Sequence, residues 1–133
     1  METRKILIVE DEQDVLKLEK KILAAEGYNV DAAACAEEAL ILLEENFYEL
    51  IIVDVMMPGM SGFELSEIIR ADPTFAKKYE NTPVLFVTAK SEPKDMTRVY
   101  SSGGVAYLSK PFSRFSFVTA VKTLTNITQP VLA

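Results

Sequence analysis

Residues 50–65 read LIIVDVMMPGMSGFEL. Leu50 to Val53 is apolar at every position, and a strand reads this way when both of its faces are buried, as in a parallel sheet. Asp54 ends the run. Met56-Met57-Pro58-Gly59 has loop chemistry, with proline and glycine adjacent. Ser61 and Glu64 then have the spacing of a capping box, which opens a helix. One stretch thus predicts a buried strand, a carboxylate at its end, a short loop and a helix.

The same unit recurs on both sides. Ile6 to Val9 and Val84 to Val87 are solid apolar runs of the same kind, and Tyr28 to Ala32 and Val105 to Leu108 are weaker strand candidates. Helical spacing fills the gaps. Val15, Leu18, Ile22 and Ala25 predict a helix over Glu12 to Glu26, stopped by Gly27. Ala36, Leu40, Leu43 and Phe47 predict a second over 36–47. A fourth is expected from Glu92 to Ser102, capped by Ser91 with Pro93 in its first turn. A fifth opens at Ser113 with Phe117, Val121 and Leu124 on one face. Strand and helix alternate five times, which implies parallel strands, right-handed crossovers and helices on both faces. The expected fold is a flavodoxin-like, doubly wound α/β sheet of order 2-1-3-4-5 with five helices. Asp72 to Thr82 is the one long connection, expected as a frayed helix end and a tolerated surface insertion.

Composition agrees with a single domain, 1–133, with a core of about 4–127 and a tail from 128. Of 133 residues, 49% are hydrophobic and 26% charged, so the chain is not disordered by composition. The net charge of −6 disfavours nucleic acid and anionic membranes as direct partners. No apolar run approaches a membrane span. The N-terminus meets acidic residues after one short apolar run, so a cytoplasmic location is expected. One cysteine, Cys35, excludes an intrachain disulfide. The absence of histidine removes Ser-His-Asp and Cys-His catalysis and most zinc sites.

Ligands in such sheets sit beyond the carboxyl ends of the strands. The residues expected there are Glu10-Asp11-Glu12, Asp54, Thr88 with Lys90 beyond it, and Lys110. Each has an ordinary reading: Asp11 as a helix cap, Asp54 as a turn former, Thr88 as a strand end, Lys110 as a solvated lysine. Their convergence in one fold favours a site. Glu10, Asp11 and Asp54 repel, about 4 kcal/mol for a pair at 4 Å and an effective dielectric near 20. The cluster therefore calls for a cation, and magnesium suits carboxylates that share an ion with an exchangeable phosphate. With Lys110 as a positive clamp and Thr88 as a hydroxyl donor, a carboxylate there can accept a phosphoryl group.

The stretches KILIVEDE, IIVDVMMPGMSGFEL, PVLFVTA and AYLSKPF also resemble the receiver domains of two-component response regulators, from about Arg4 to Ile127. The resemblance implies a phosphoacceptor, Asp54, charged by a histidine kinase or a histidine phosphotransfer protein. It implies magnesium held by Asp11, Asp54 and the Met56 carbonyl, with Glu10 acting through water. Lys110 would pair with the phosphoryl group or Asp54, and Thr88 would turn to hydrogen-bond it. Tyr107 would rotate between outward and inward positions. The output face would be helix 4, strand 5 and helix 5, also a possible homodimer face. Met56 and Lys90 would tune the phosphoryl lifetime. The implied protein catalyses only its own phosphorylation and dephosphorylation. Glu10 stands where aspartate is usual, and Gly104 where alanine is common, expected to loosen the turn before strand 5. No output segment follows helix 5 within the sequence, which suits a stand-alone regulator and a domain of a longer one equally.

Three rivals are weaker. A haloacid dehalogenase-type enzyme needs an acid where Met56 stands. A flavodoxin would set its flavin phosphate against Glu10-Asp11-Glu12. A silent binding module has no need of Asp11, Asp54, Thr88 and Lys110 together.

Overall fold

A computed structural model describes residues 5–89 and 92–128. Ten elements alternate: β1 (Lys5–Val9), α1 (Gln13–Ala25), β2 (Asn29–Ala33), α2 (Ala36–Glu45), β3 (Leu50–Asp54), α3 (Gly62–Ala71), β4 (Val84–Thr88), α4 (Pro93–Ser101), β5 (Ala106–Ser109) and α5 (Arg114–Thr128). The strands form one parallel sheet in the order β2-β1-β3-β4-β5, as the alternation predicts. The side-chain period of two sends alternate residues to opposite faces. Ile6, Ile8, Leu50, Ile52, Leu85 and Val87 pack with α1 and α5. Leu7, Val9, Ile51, Val53, Val84 and Phe86 pack with α2, α3 and α4. Among the described residues no helix is long and apolar enough to cross a membrane.

The helices correct several expectations. The buried residues of α1 are Leu16, Glu19, Ile22 and Leu23, while Leu18 and Ala25 are exposed. The expected stripe holds at Ile22 but takes Val15 and Leu18 for Leu16 and Glu19; Val15 is half-buried and Leu18 lies toward solvent. Helix α2 ends at Glu45; Phe47 lies beyond it, exposed and stacked on Tyr79 at 5.7 Å between ring centroids. The α3 capping box is complete: Glu64 N–H donates to Ser61 Oγ at 3.2 Å and Ser61 N–H to Glu64 Oε1 at 3.3 Å. Helix α4 starts at Pro93 with Glu92 as its cap residue; the expected cap Ser91 lies outside the described residues.

Asp72 to Thr82 is not a loose insertion. Phe75, Tyr79 and Thr82 are buried. Tyr79 Oη shares its one proton between Leu43 O and Asn46 O, at 2.7 and 2.6 Å, and Lys78 Nζ donates to Leu43 O and Glu44 O, so the segment caps the C-terminal end of α2. Nor is Gly104 a loosening: a Cβ there would lie 2.5 Å from the Phe86 ring and 2.8 Å from Val99 O. Glycine is what lets α4 close on β4.

Candidate functional site

Register places the site. Val9 pairs with Val53, so Glu10 and Asp54 stand level, each one residue beyond. Both continue the alternation of the strand residues that face α1 and α5. Lys110 does the same beyond Ala106 and Leu108. Thr88 continues the other alternation, through Val84 and Phe86, toward α3 and α4. Asp54 and Thr88 are adjacent in the sheet, since Asp54 pairs with Val87.

The expected convergence of Glu10, Asp54 and Lys110 is present. Lys110 Nζ donates to Glu10 Oε1 at 2.7 Å and to Asp54 Oδ2 at 3.2 Å. Glu10 is 1% and Asp54 4% exposed, so this ion pair is shielded from water. Backbone donors complete it: Glu12 N–H to Glu10 Oε2 at 3.2 Å, and Met56 N–H to Asp54 Oδ1 at 3.1 Å. The second bond shows that the turn-forming reading of Asp54 is also true; one oxygen serves the loop while the other faces the lysine.

Electrostatics follows from burial. Desolvation, reinforced by Asp54, pushes Glu10 up to about 7, against the hydrogen bond from Lys110. Burial works to lower Lys110, but its bond to Glu10 and the charges of Asp54 and Glu10 outweigh it and hold the lysine above its ordinary range.

The helix-cap reading of Asp11 fails, since Glu12 occupies the cap position. Asp11 Oδ1 is buried and has no hydrogen-bond partner among the described residues. Glu10, Glu12 and Asp54 offer carboxylate oxygens within 4.8 Å of one another. Asp11, expected to converge with Glu10 and Asp54, is not among these three; the gathered carboxylates are a donor set of the kind a hard divalent cation takes. Glu12 is a candidate ligand that sequence reasoning passed over, and its adjacency to Glu10 and Asp11 was the available signal. Asp11 and Met56 also line a cleft of about 760 Å³ between the β3–α3 loop and α4, with Lys94, Asp95 and Arg98 on its far wall.

The remaining expected residues are placed as follows. Thr88 is buried at the end of β4. Tyr107 is 40% exposed on β5. Met56 is exposed at the mouth of the site. Lys90 lies outside the described residues. Gly62 fits because it has no side chain: a Cβ there would overlap Asp54 O and stand 2.8 Å from Val53 Cγ1. Its N–H donates to Val55 O at 3.0 Å, pressing α3 against the end of β3.

Sequence reasoning also missed Glu19. It is 1% exposed on the α1 face that covers this end of the sheet. Burial, and then the charges of Glu10 and Asp54, push its carboxyl up to about 8. An acid three residues after Leu16 and three before Ile22 was the signal, once the stripe is anchored on Leu16.

The family model described as "Response regulator receiver domain" matches residues 6–122. The transcriptional regulatory protein YvrH of Bacillus subtilis (strain 168) is 38% identical over 123 residues, 92% of this chain and 49% of that protein. The phosphate regulon transcriptional regulatory protein PhoB of Rhizobium meliloti (strain 1021) is 36% identical over 126 residues, 95% of this chain and 54% of that protein. The chain thus spans about half the length of these curated relatives. Among solved structures, the chemotaxis protein CheY4 of Vibrio cholerae superposes with a TM-score of 0.86 at 28% identity, covering 92% of this chain and 99% of that one. A CheY-like receiver domain protein from Methanospirillum hungatei JF-1 does so with 0.86 at 29% identity, covering 96% and 97%.

Proposed function

This chain belongs to the response regulator receiver domains, and on that premise we propose that it is a phosphorylation-controlled switch with Asp54 as acceptor. The observation that carries the proposal is the Lys110 clamp across Glu10 and Asp54 at the carboxyl end of the sheet. An Asp54 carboxylate oxygen attacks the phosphorus of a phosphohistidine on a partner kinase or phosphotransfer protein. The new O–P bond forms as the P–N bond breaks, and the imidazole leaves with the electron pair. The backbone N–H of Met56 holds Oδ1 and Lys110 holds Oδ2, so both oxygens are oriented before attack.

Phosphorylation adds about −1.5 to −2 charges and three strong acceptor oxygens. Lys110 is the cation positioned to answer them. Thr88, on the α4 side of the sheet, is the hydroxyl positioned to do so. Asp11, Glu10, Glu12 and Asp54 are the side chains that would hold magnesium, with the Met56 carbonyl. The ion supplies charge neutralisation for the phosphoryl oxygens. As Thr88 turns toward the phosphoryl group it draws on α4, and Tyr107 moves inward. The altered face of α4, β5 and α5 then meets an output partner, an attached domain or a second copy. The domain works in the cytoplasm and turns over no external substrate. Met56, being apolar, cannot orient an attacking water, which makes hydrolysis of the acyl phosphate slow to moderate; Lys90 is the second tuning position.

The deciding test is intact mass after incubation with acetyl phosphate, with and without magnesium, beside Asp54→Asn. One magnesium-dependent phosphoryl addition, lost in the variant, is expected. Addition that persists in Asp54→Asn would place the acceptor elsewhere.

A further inference from the structure

Helix α4 is fastened at one end. Its last turn closes with Gly103 N–H donating to Tyr100 O at 3.1 Å and Gly104 N–H to Val99 O at 2.9 Å, with Gly103 at φ +100°. This is the Schellman arrangement, in which a left-handed glycine ends the helix. Two side chains of α3 take the carbonyls that follow. Ser66 Oγ donates to Ser102 O at 2.8 Å and Arg70 Nε to Gly103 O at 3.1 Å. The rest of the Arg70 guanidinium donates to Tyr79 O and Thr82 O, each at 2.7 Å. One planar fork therefore ties the α4–β5 turn to the packed 72–82 segment. Val105 N–H then enters the sheet at Val84 O, and Gly104 lies against the Phe86 ring.

Among the described residues, the other end has little of this. The cap residue Glu92 makes no side-chain cap bond. Its ion pair with Lys94, at 3.6 Å, is exposed. Exposed pairs of this kind hold weakly and give way to salt. The buried residues of α4 are Asp95 and Val99, so its one buried apolar anchor sits in the half next to the fastened turn.

We propose that α4 moves as a lever about its C-terminal turn, and that Ser66 and Arg70 are the positioning residues that hold the pivot. The inference rests on the switch reading above. It adds where the moving element is fixed and which side chains fix it. A signal at the carboxyl end of β4 then reaches the first turn of α4 at full amplitude and dies out toward Ser102. The same fork makes the 72–82 segment part of the pivot.

The test is residue-by-residue amide exchange, by NMR, of the chain before and after addition of magnesium and beryllium fluoride, which mimics a phosphoryl group on a carboxylate. In the unaltered chain the amides of residues 95–98 should change at least fivefold, and those of Ser102, Gly103 and Gly104 less than twofold. In Arg70→Met, which keeps the stem and loses the fork, the same addition should now shift the Ser102–Gly104 amides fivefold or more. Arg70→Lys should fall between, and Ser66→Ala is the milder variant should Arg70→Met fail to fold. Equal change along α4 in the unaltered chain would overturn the pivot. So would an Arg70→Met variant that loses protection equally with and without beryllium fluoride, since that is a strut and not a pivot. The Met56 amide, bonded to Asp54 Oδ1, is the internal control. If it does not respond, the switch reading falls and the pivot with it; if it responds while α4 changes uniformly, the pivot alone falls.

Discussion

Glu19 and Glu10 give the residue scale its sharpest tests. Glu19 is an acid on an apolar helix face, with a buried oxygen that has no hydrogen-bond partner among the described residues. Its carboxyl rises from 4.5 to about 8, so the folded chain holds that proton more tightly than the unfolded one. Its contribution to stability is therefore full below pH 4.5 and is lost as pH rises through about 8. Urea unfolding of the parent chain and Glu19→Gln at several pH values should show the parent losing ground across that window. Glu19→Leu, close in volume, should stabilise the fold by about 1–3 kcal/mol at neutral pH, the usual cost of an unsatisfied buried polar group. Glu10 near 7 has a different consequence. A divalent cation must displace its proton, so magnesium affinity by calorimetry should strengthen as pH climbs from 6 to 8 and level off above. An affinity independent of pH in that range would remove Glu10 from the metal site.

At the scale of the element, α3 carries two jobs. Its capping box fixes where it starts, and Gly62 lets that start press on the backbone of Asp54. Ser61→Ala should cost about 1 kcal/mol, read by urea denaturation, the ordinary loss for a capping hydroxyl. Gly62→Ala should cost about 1–3 kcal/mol as an overpacking change. On the proposed reading it should also slow phosphorylation by acetyl phosphate, because the added methyl pushes on the backbone of Asp54. The difference between the two variants separates helix stability from site geometry. Residues 50–65 made this element legible, since the cap, the loop and the apolar run each point to one structure. Helix α1 was less legible. Val15, Leu16 and Leu18 offer two overlapping apolar stripes, and only packing on β1 chooses the one containing Leu16 and Glu19.

At the scale of the molecule, the two ends of the sheet divide the labour. The carboxyl ends gather like charges and a clamp. Toward the amino ends, side chains take backbone carbonyls: Tyr79 those of Leu43 and Asn46, Arg70 those of Tyr79 and Thr82. Tyr79→Phe should lower stability by about 1–3 kcal/mol through two abandoned carbonyls while leaving the acetyl phosphate rate within twofold. Strand order and the meeting of Glu10, Asp54 and Lys110 were readable, because alternation of solid runs and helices admits few topologies. The tight packing of 72–82 was not readable. Phe75 and Tyr79 stand among lysines, proline and polar residues, and nothing local says that their rings turn inward.

The clamp has one more consequence, for a chain as it is made. Lys110 reaches back 100 residues to Glu10 and 56 to Asp54. During synthesis from the N-terminus, the acids exist long before their cation. Until the last strand and the start of α5 have docked, Glu10 and Asp54 lack the cation that clamps them. On the proposed switch reading, a nascent or truncated chain without Lys110 would take up no phosphoryl group, and competence to be phosphorylated would report that folding is finished.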